Sequence, residues 1–94
     1  MDAYSQIAEN QLDSLERGQD IELYNQILNV CEQILDDPEK IRKFSAIIST
    51  TEGARFCTPV PGKEPHKVFW SWSTGGLARI EAIFPYPMRE KVTT

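Results

Sequence analysis

A change of hydrophobic period at Gly53 constrains this chain more than any other feature. Before Gly53 the apolar residues recur at three- and four-residue steps, and after it they alternate in twos. A helical first half leading into a sheet-forming second half, within 94 residues, leaves room for one core and therefore for one domain. The helices must then lie on one face of the sheet, since each kind of element has one apolar side to bury.

In the first half, Tyr4, Ile7, Ala8, Leu12 and Leu15 form one helical stripe, and Gly18 follows where a left-handed residue would end the helix. Asp20 is placed to cap a second helix, whose apolar face holds Tyr24, Ile27, Leu28, Cys31, Ile34 and Leu35. The link Arg17-Gly18-Gln19 is short enough to fold the two back on each other, which predicts an antiparallel hairpin over 1–36. Asp37-Pro38 reads as an N-cap followed by proline at the first helical position, so residues 37–53 are expected to be a short helix carrying Ile41 and Phe44, then a loop.

In the second half, Arg55–Val60 reads as a strand that Pro59 confines to an edge or terminates, because proline has no N–H for a ladder. Pro61–Pro65 is a turn by composition. The strand Lys67–Trp72 sets Val68, Trp70 and Trp72 on one face, with Phe69 on the other beside Lys67 and Ser71. Leu77–Phe84 sets Ala78, Ile80, Ala82 and Phe84 on one face and Arg79 and Glu81 on the other, and Ser73–Gly76 supplies the hairpin turn. The expected fold class is α+β: a helical hairpin packed on a small antiparallel sheet of about three to four strands over 54–87, with a polar tail at 88–94.

Charge is divided as sharply as periodicity. Residues 1–39 hold ten acids against one base, a net of −9, while residues 40–94 hold nine bases against four acids, a net of +5. Such a chain can offer a basic face to nucleic acid or to an acidic partner although its overall charge is −4. No apolar run approaches the roughly 20 residues that span a bilayer, and the N-terminus is acidic where a secretory signal would be basic and apolar. A cytoplasmic protein with no membrane partner and with reduced Cys31 and Cys57 is expected.

Particular stretches resemble the RelE/ParE toxins of type II toxin–antitoxin systems. The opening Tyr4-Ser5-Gln6-Ile7-Ala8-Glu9 with Leu12 and Leu15 is similar to their first helix, and Leu35-Asp36-Asp37-Pro38 to the acidic residue and proline after their second. His66-Lys67-Val68-Phe69-Trp70 and Ala82-Ile83-Phe84-Pro85-Tyr86 are similar to their later strands, the first led by a basic residue and the second ending in an aromatic. The resemblance covers about residues 4 to 87 and implies a RelE-like fold. It departs from the family at the N-terminus, where three residues precede Tyr4 in place of a first strand, and at Lys67, where an arginine is common.

By that resemblance the chain is a toxin that stops translation by cleaving mRNA on the ribosome, held inactive by a cognate antitoxin. A ParE-like inhibitor of DNA gyrase and a non-toxic protein-binding module on the same fold stand as alternatives, with a homodimer open in each case. Cutting RNA without a metal needs a base near the 2′-hydroxyl, a cation over the phosphate and an acid at the leaving oxygen. Lys67, Arg79, Tyr86 and His66 are the catalytic candidates, and Arg55, Lys63, Lys67, Phe69 and Arg79 the nucleic-acid-binding ones. Lys67, His66 and Tyr86 are expected to meet at one edge of the sheet. One histidine and two distant cysteines form no metal-ligand set of recognisable spacing, so neither metal nor cofactor is expected.

Overall fold

The computed structural model describes residues 3–73 and 75–85. Helix α1 spans Gln6–Glu16 and is capped by Ser5, whose Oγ accepts the Ala8 N–H at 3.0 Å, so the helix begins two residues later than the apolar stripe suggests. It ends with Arg17 in the right-handed region, and Gly18 does not adopt a positive φ. The left-handed cap expected at Gly18 is therefore absent. What glycine supplies there is room, because a β-carbon would stand 3.3 Å from the Leu15 carbonyl oxygen.

Helix α2, Ile21–Asp36, starts at the expected cap, with Asp20 Oδ1 accepting the Leu23 N–H at 3.0 Å, and it buries Ile27, Val30, Cys31 and Ile34. Asp37 likewise caps α3, Pro38–Ile41, which runs into a 3₁₀ turn at Arg42–Phe44. The segment expected to be loop then forms strand β1, Ala46–Thr50. Its five residues are all exposed, so the apolar alternation that marks a half-buried strand is missing from Ala-Ile-Ile-Ser-Thr. Strands β2 (Gly53–Pro59), β3 (Lys67–Trp72) and β4 (Ala78–Phe84) complete an antiparallel sheet in the order β1-β2-β3-β4. Pro59 marks the end of β2 rather than an edge strand, as β2 lies between β1 and β3.

Both helices pack on one face of this sheet. Val68, Trp70, Ile80 and Ile83 from the strands meet Ile27 and Ile34 from α2, all at 0% exposure. Between Phe69/Ala82 and Trp70/Ile80 the register slips by one, which leaves Glu81 as an extra residue in β4. The bulge overturns the expected face of two residues. Ala78, Ile80 and Ile83 sit on the helical side, whereas Ala82 and Phe84, paired with Phe69 and Lys67, sit on the other.

Trp70 also anchors a directed hydrogen-bond chain in the core. Its Nε1–H donates to Thr58 Oγ1 at 2.8 Å; the Thr58 hydroxyl donates to Ser45 Oγ at 2.6 Å; and Ser45 donates to the Ile41 carbonyl at 2.8 Å. The direction is fixed because the Ile41 carbonyl can only accept and takes the single Ser45 proton, which leaves the Thr58 hydroxyl as the donor to Ser45. Thr58→Val removes the acceptor of a fully buried donor and should lower the unfolding free energy by about 1–3 kcal/mol. Thr58→Ser should cost less. Equal urea midpoints for Thr58→Val and the parent protein would show that the chain contributes nothing.

The two edges of the sheet differ. Along β4, Ile80 donates its N–H to the Ala3 carbonyl and accepts the Ser5 N–H, both at 2.8 Å, so Tyr4 forms a parallel bridge with Ile80. Ser5 Oγ donates to the Glu81 carbonyl at 2.6 Å, and the buried Gln11 accepts the Ile83 N–H at 2.7 Å. The segment before α1 thus adds a one-bridge strand, and α1 satisfies the next backbone donor. No described residue covers the outer edge of β1 in this way.

Candidate functional site

The face of the sheet turned away from the helices carries the candidate site. Strand alternation and the bulge place Lys67, Phe69 and Ser71 of β3 there with Arg79, Ala82 and Phe84 of β4, and Arg55 and Cys57 of β2 with Ile48 of β1. Ile48 pairs with Arg55 and Ser71 with Arg79, and continuing the Phe56–Trp70 register by one residue sets Arg55 beside Ser71. A row Ile48, Arg55, Ser71, Arg79 therefore crosses the sheet, with the two arginines about 10 Å apart at the backbone.

Glu81 joins this row. The Ser71 hydroxyl donates to its Oε2 at 2.7 Å, which holds the carboxylate on the open face between the strands that carry Arg55 and Arg79. Sequence periodicity sets Glu81 on the side of Arg79 without assigning it a role. The signal for one was an acid two residues after Arg79, followed by the unbroken apolar run Ala82-Ile83-Phe84. Arg79 is exposed and, among the described residues, makes no ion pair. Arg55 is more enclosed, its side chain 17% exposed, with Nη1 on the Ala54 carbonyl at 3.1 Å and Nη2 3.4 Å from Glu52 Oε1.

Lys67 lies at the far end of the same face, paired with Phe84 and Pro59, about 13 Å along β3 from the arginine row. Phe69 packs edge-to-face on Phe84, with ring centroids 5.4 Å apart, and gives the middle of the face an aromatic surface beside the lysine. The expected meeting of Lys67, His66 and Tyr86 is realised only as far as Lys67 reaching the end of β4. Tyr86 lies outside the described residues. The His66 ring is held back on its own loop, with Nδ1 3.1 Å from the Lys63 carbonyl oxygen. Lys63 sits with the helices, its Nζ 3.5 Å from Glu22 Oε1 at the start of α2, and does not share the open face.

Trp70 and Trp72 belong to the helical face, where Trp70 stacks on Phe56 at 4.7 Å and Arg42 stands 5.5 Å above the Trp72 ring. A cleft of about 490 Å³ also lies on the helical side, lined by Val30, Asp36, Ile41, Phe44 and Pro59 among others; none of the candidate residues lines it. Among the described residues no group of three His, Cys, Asp or Glu is placed to hold a metal ion, and no helix is long and apolar enough to cross a membrane.

Both cysteines are unpaired and buried. Burial pushes the Cys57 thiol up although the Lys67 cation opposes the shift, so Cys57 is a poor nucleophile. Burial pushes Cys31 to about 12, with Glu32 adding to the rise. Since the folded thiol stays protonated while the unfolded one ionises near its ordinary value of 9.0, the unfolded chain binds fewer protons between these limits. Stability is therefore complete below about pH 9 and is lost as the pH rises toward 12. By pH 11 the loss from Cys31 should be about 2–3 kcal/mol. Urea unfolding from pH 8 to pH 11 should show this slope, and Cys31→Ala should reduce it to the part left by Tyr4, whose phenol burial pushes up to about 12. An equal slope in the variant would assign it elsewhere.

Set against models of known protein families, curated proteins and solved structures, the chain matches none of them.

Proposed function

We propose that this protein is the toxin of a type II toxin–antitoxin pair of the RelE/ParE kind, and that its open sheet face holds and cleaves mRNA on the ribosome in the cytoplasm. The observation that carries this reading is the gathering of Arg55, Lys67, Arg79 and the Glu81 carboxylate on one face, which no described helix covers, with Phe69 and Phe84 between them. The addition of Ala3–Ser5 to the sheet before α1, where the family begins with a strand, also supports it.

In this reading the guanidinium groups of Arg55 and Arg79 neutralise the scissile phosphate and the charge that builds on it. The Glu81 carboxylate takes the proton of the 2′-hydroxyl as that oxygen attacks phosphorus. The bond from phosphorus to the 5′-oxygen breaks, and the leaving oxygen takes a proton from the Tyr86 phenol or from water, while Lys67 at the far end of the face holds the phosphate of a neighbouring nucleotide. The products are a 2′,3′-cyclic phosphate and a 5′-hydroxyl end, and no metal or cofactor enters. The acidic helices face away from the RNA, and a cognate antitoxin would act by covering the basic face with an acidic segment.

Induced expression without the adjacent gene tests this directly. Growth should arrest, and ribosome-associated mRNA should acquire new 5′-hydroxyl ends. One observation favours a second reading, a non-toxic binding module: the ring of the chain's one histidine, His66, is engaged by its own loop. Harmless expression with no new ends would select that module. Arrest without new ends but with blocked plasmid relaxation would select a gyrase inhibitor.

A further inference from the structure

We propose that two copies of this chain join through their β1 edges, making one continuous eight-stranded sheet. This inference stands independently of the toxin reading. The sheet has one closed edge, where Ala3, Ser5 and Gln11 take up the backbone groups of β4, and one edge, at β1, that no described residue covers. Protein edges exposed in this way are usually guarded by charges, proline or a bulge. Ala46–Thr50 has no charge or proline and pairs with β2 without a slip, and it exposes Ile47 at 66% and Ile48 at 39%.

The backbone fits a second copy running antiparallel. Thr50 and Gly53 flank the Thr51–Glu52 turn as a hydrogen-bonded pair, so by alternation Ala46 and Ile48 also bond inward to β2. Ile47 and Ser49 then direct N–H and C=O outward. A two-fold axis at Ile48 pairs Ile47 with Ser49 of the partner subunit and Ser49 with the partner's Ile47, forming four backbone hydrogen bonds, while Ile48 meets the partner's Ile48. The flanks are complementary in charge. Arg42 and Lys43 precede β1 and Glu52 follows it, so antiparallel pairing lays the basic turn of one copy toward the acidic turn of the other. The Ile48, Arg55, Ser71, Arg79 row would run through the axis into its equivalent, putting both candidate sites on one face.

A single strand-to-strand contact is small by interface standards, so the dimer should be reversible. Light scattering on the full chain should show the mass doubling from dilute to concentrated samples. Amide exchange at Ile47 and Ser49 should slow with concentration, and that at Ile48 should not. Ile48→Lys should abolish the doubling, because it sets two ammonium groups together at the axis, while Leu77→Lys, at an exposed apolar position elsewhere, should leave it intact. Unchanged near-UV circular dichroism would show that Ile48→Lys still folds. A chain that stays monomeric at every concentration overturns the proposal. So does a dimer that survives Ile48→Lys, or one in which exchange at Ile47 and Ser49 ignores concentration.

Discussion

Arg79→Ala and Glu81→Gln should each slow the formation of new mRNA 5′-hydroxyl ends by at least a hundredfold and relieve growth arrest. For Arg79 the expectation rests on the cost of removing one preorganised positive group from a charged transition state, typically a factor of about 10²–10³. For Glu81 it rests on the contribution of a placed general base, about 10²–10⁴. Neither change touches the core. Arg79 is exposed, and glutamine keeps an oxygen for the Ser71 hydroxyl, so the unfolding midpoint should hold within about 0.5 kcal/mol. That separation gives the measurement its force, because lost activity in an equally stable protein cannot be blamed on misfolding. Undiminished cleavage in both variants would remove the arginine row as the site, and Lys67→Ala would then be the next residue to change.

Trp70→Ala should be the most damaging single substitution to the fold, at about 3–5 kcal/mol. Trp70 is fully buried, stacks on Phe56, and donates the first bond of the chain through Thr58 and Ser45 to Ile41. Removing it empties the centre of the sheet's inner face. Domains of this kind hold about 5–15 kcal/mol in total, so the variant should melt more than about 12 °C below the parent protein. Melting within a few degrees would mean that the core closes over the gap and that its tight packing matters little. Trp70→Phe, which keeps a ring against Phe56 and loses only the donor, should fall between the two.

The parts of this fold that can be read from sequence are those set by local chemistry. The caps at Asp20 and Asp37 and the stripe through Ile27, Cys31 and Ile34 need no partner to be recognised, since side-chain oxygens and 3.6-residue spacing act within one helix. The inner and outer faces of β3 follow from alternation in the same way, and this put Lys67 and Phe69 on the open face. Strand β1 escaped because Ala-Ile-Ile-Ser-Thr buries nothing, so no pattern records which way it faces. The faces of Ala82 and Phe84 escaped because a one-residue slip leaves an apolar run that suits either phase until the strand meets its neighbour. The site was legible as a collection of cations. Which of them share a surface was settled by long-range pairing: Arg55 lies on β2 and Arg79 on β4, while Lys63 is drawn to Glu22 in the helical layer.

The slip at Glu81 reaches two parts of the molecule. Were that single residue excised, Ala78, Ile80 and Ile83 would still point inward, Arg79, Ala82 and Phe84 would still point outward, and the ladder to β3 would run without a break. Nothing in the hydrophobic interior asks for the extra position. The extra position does two things at once: its carbonyl accepts the Ser5 hydroxyl that caps α1, and its carboxylate is set between two arginine-bearing strands, so the joint that fixes the first helix to the sheet and the candidate site share one residue.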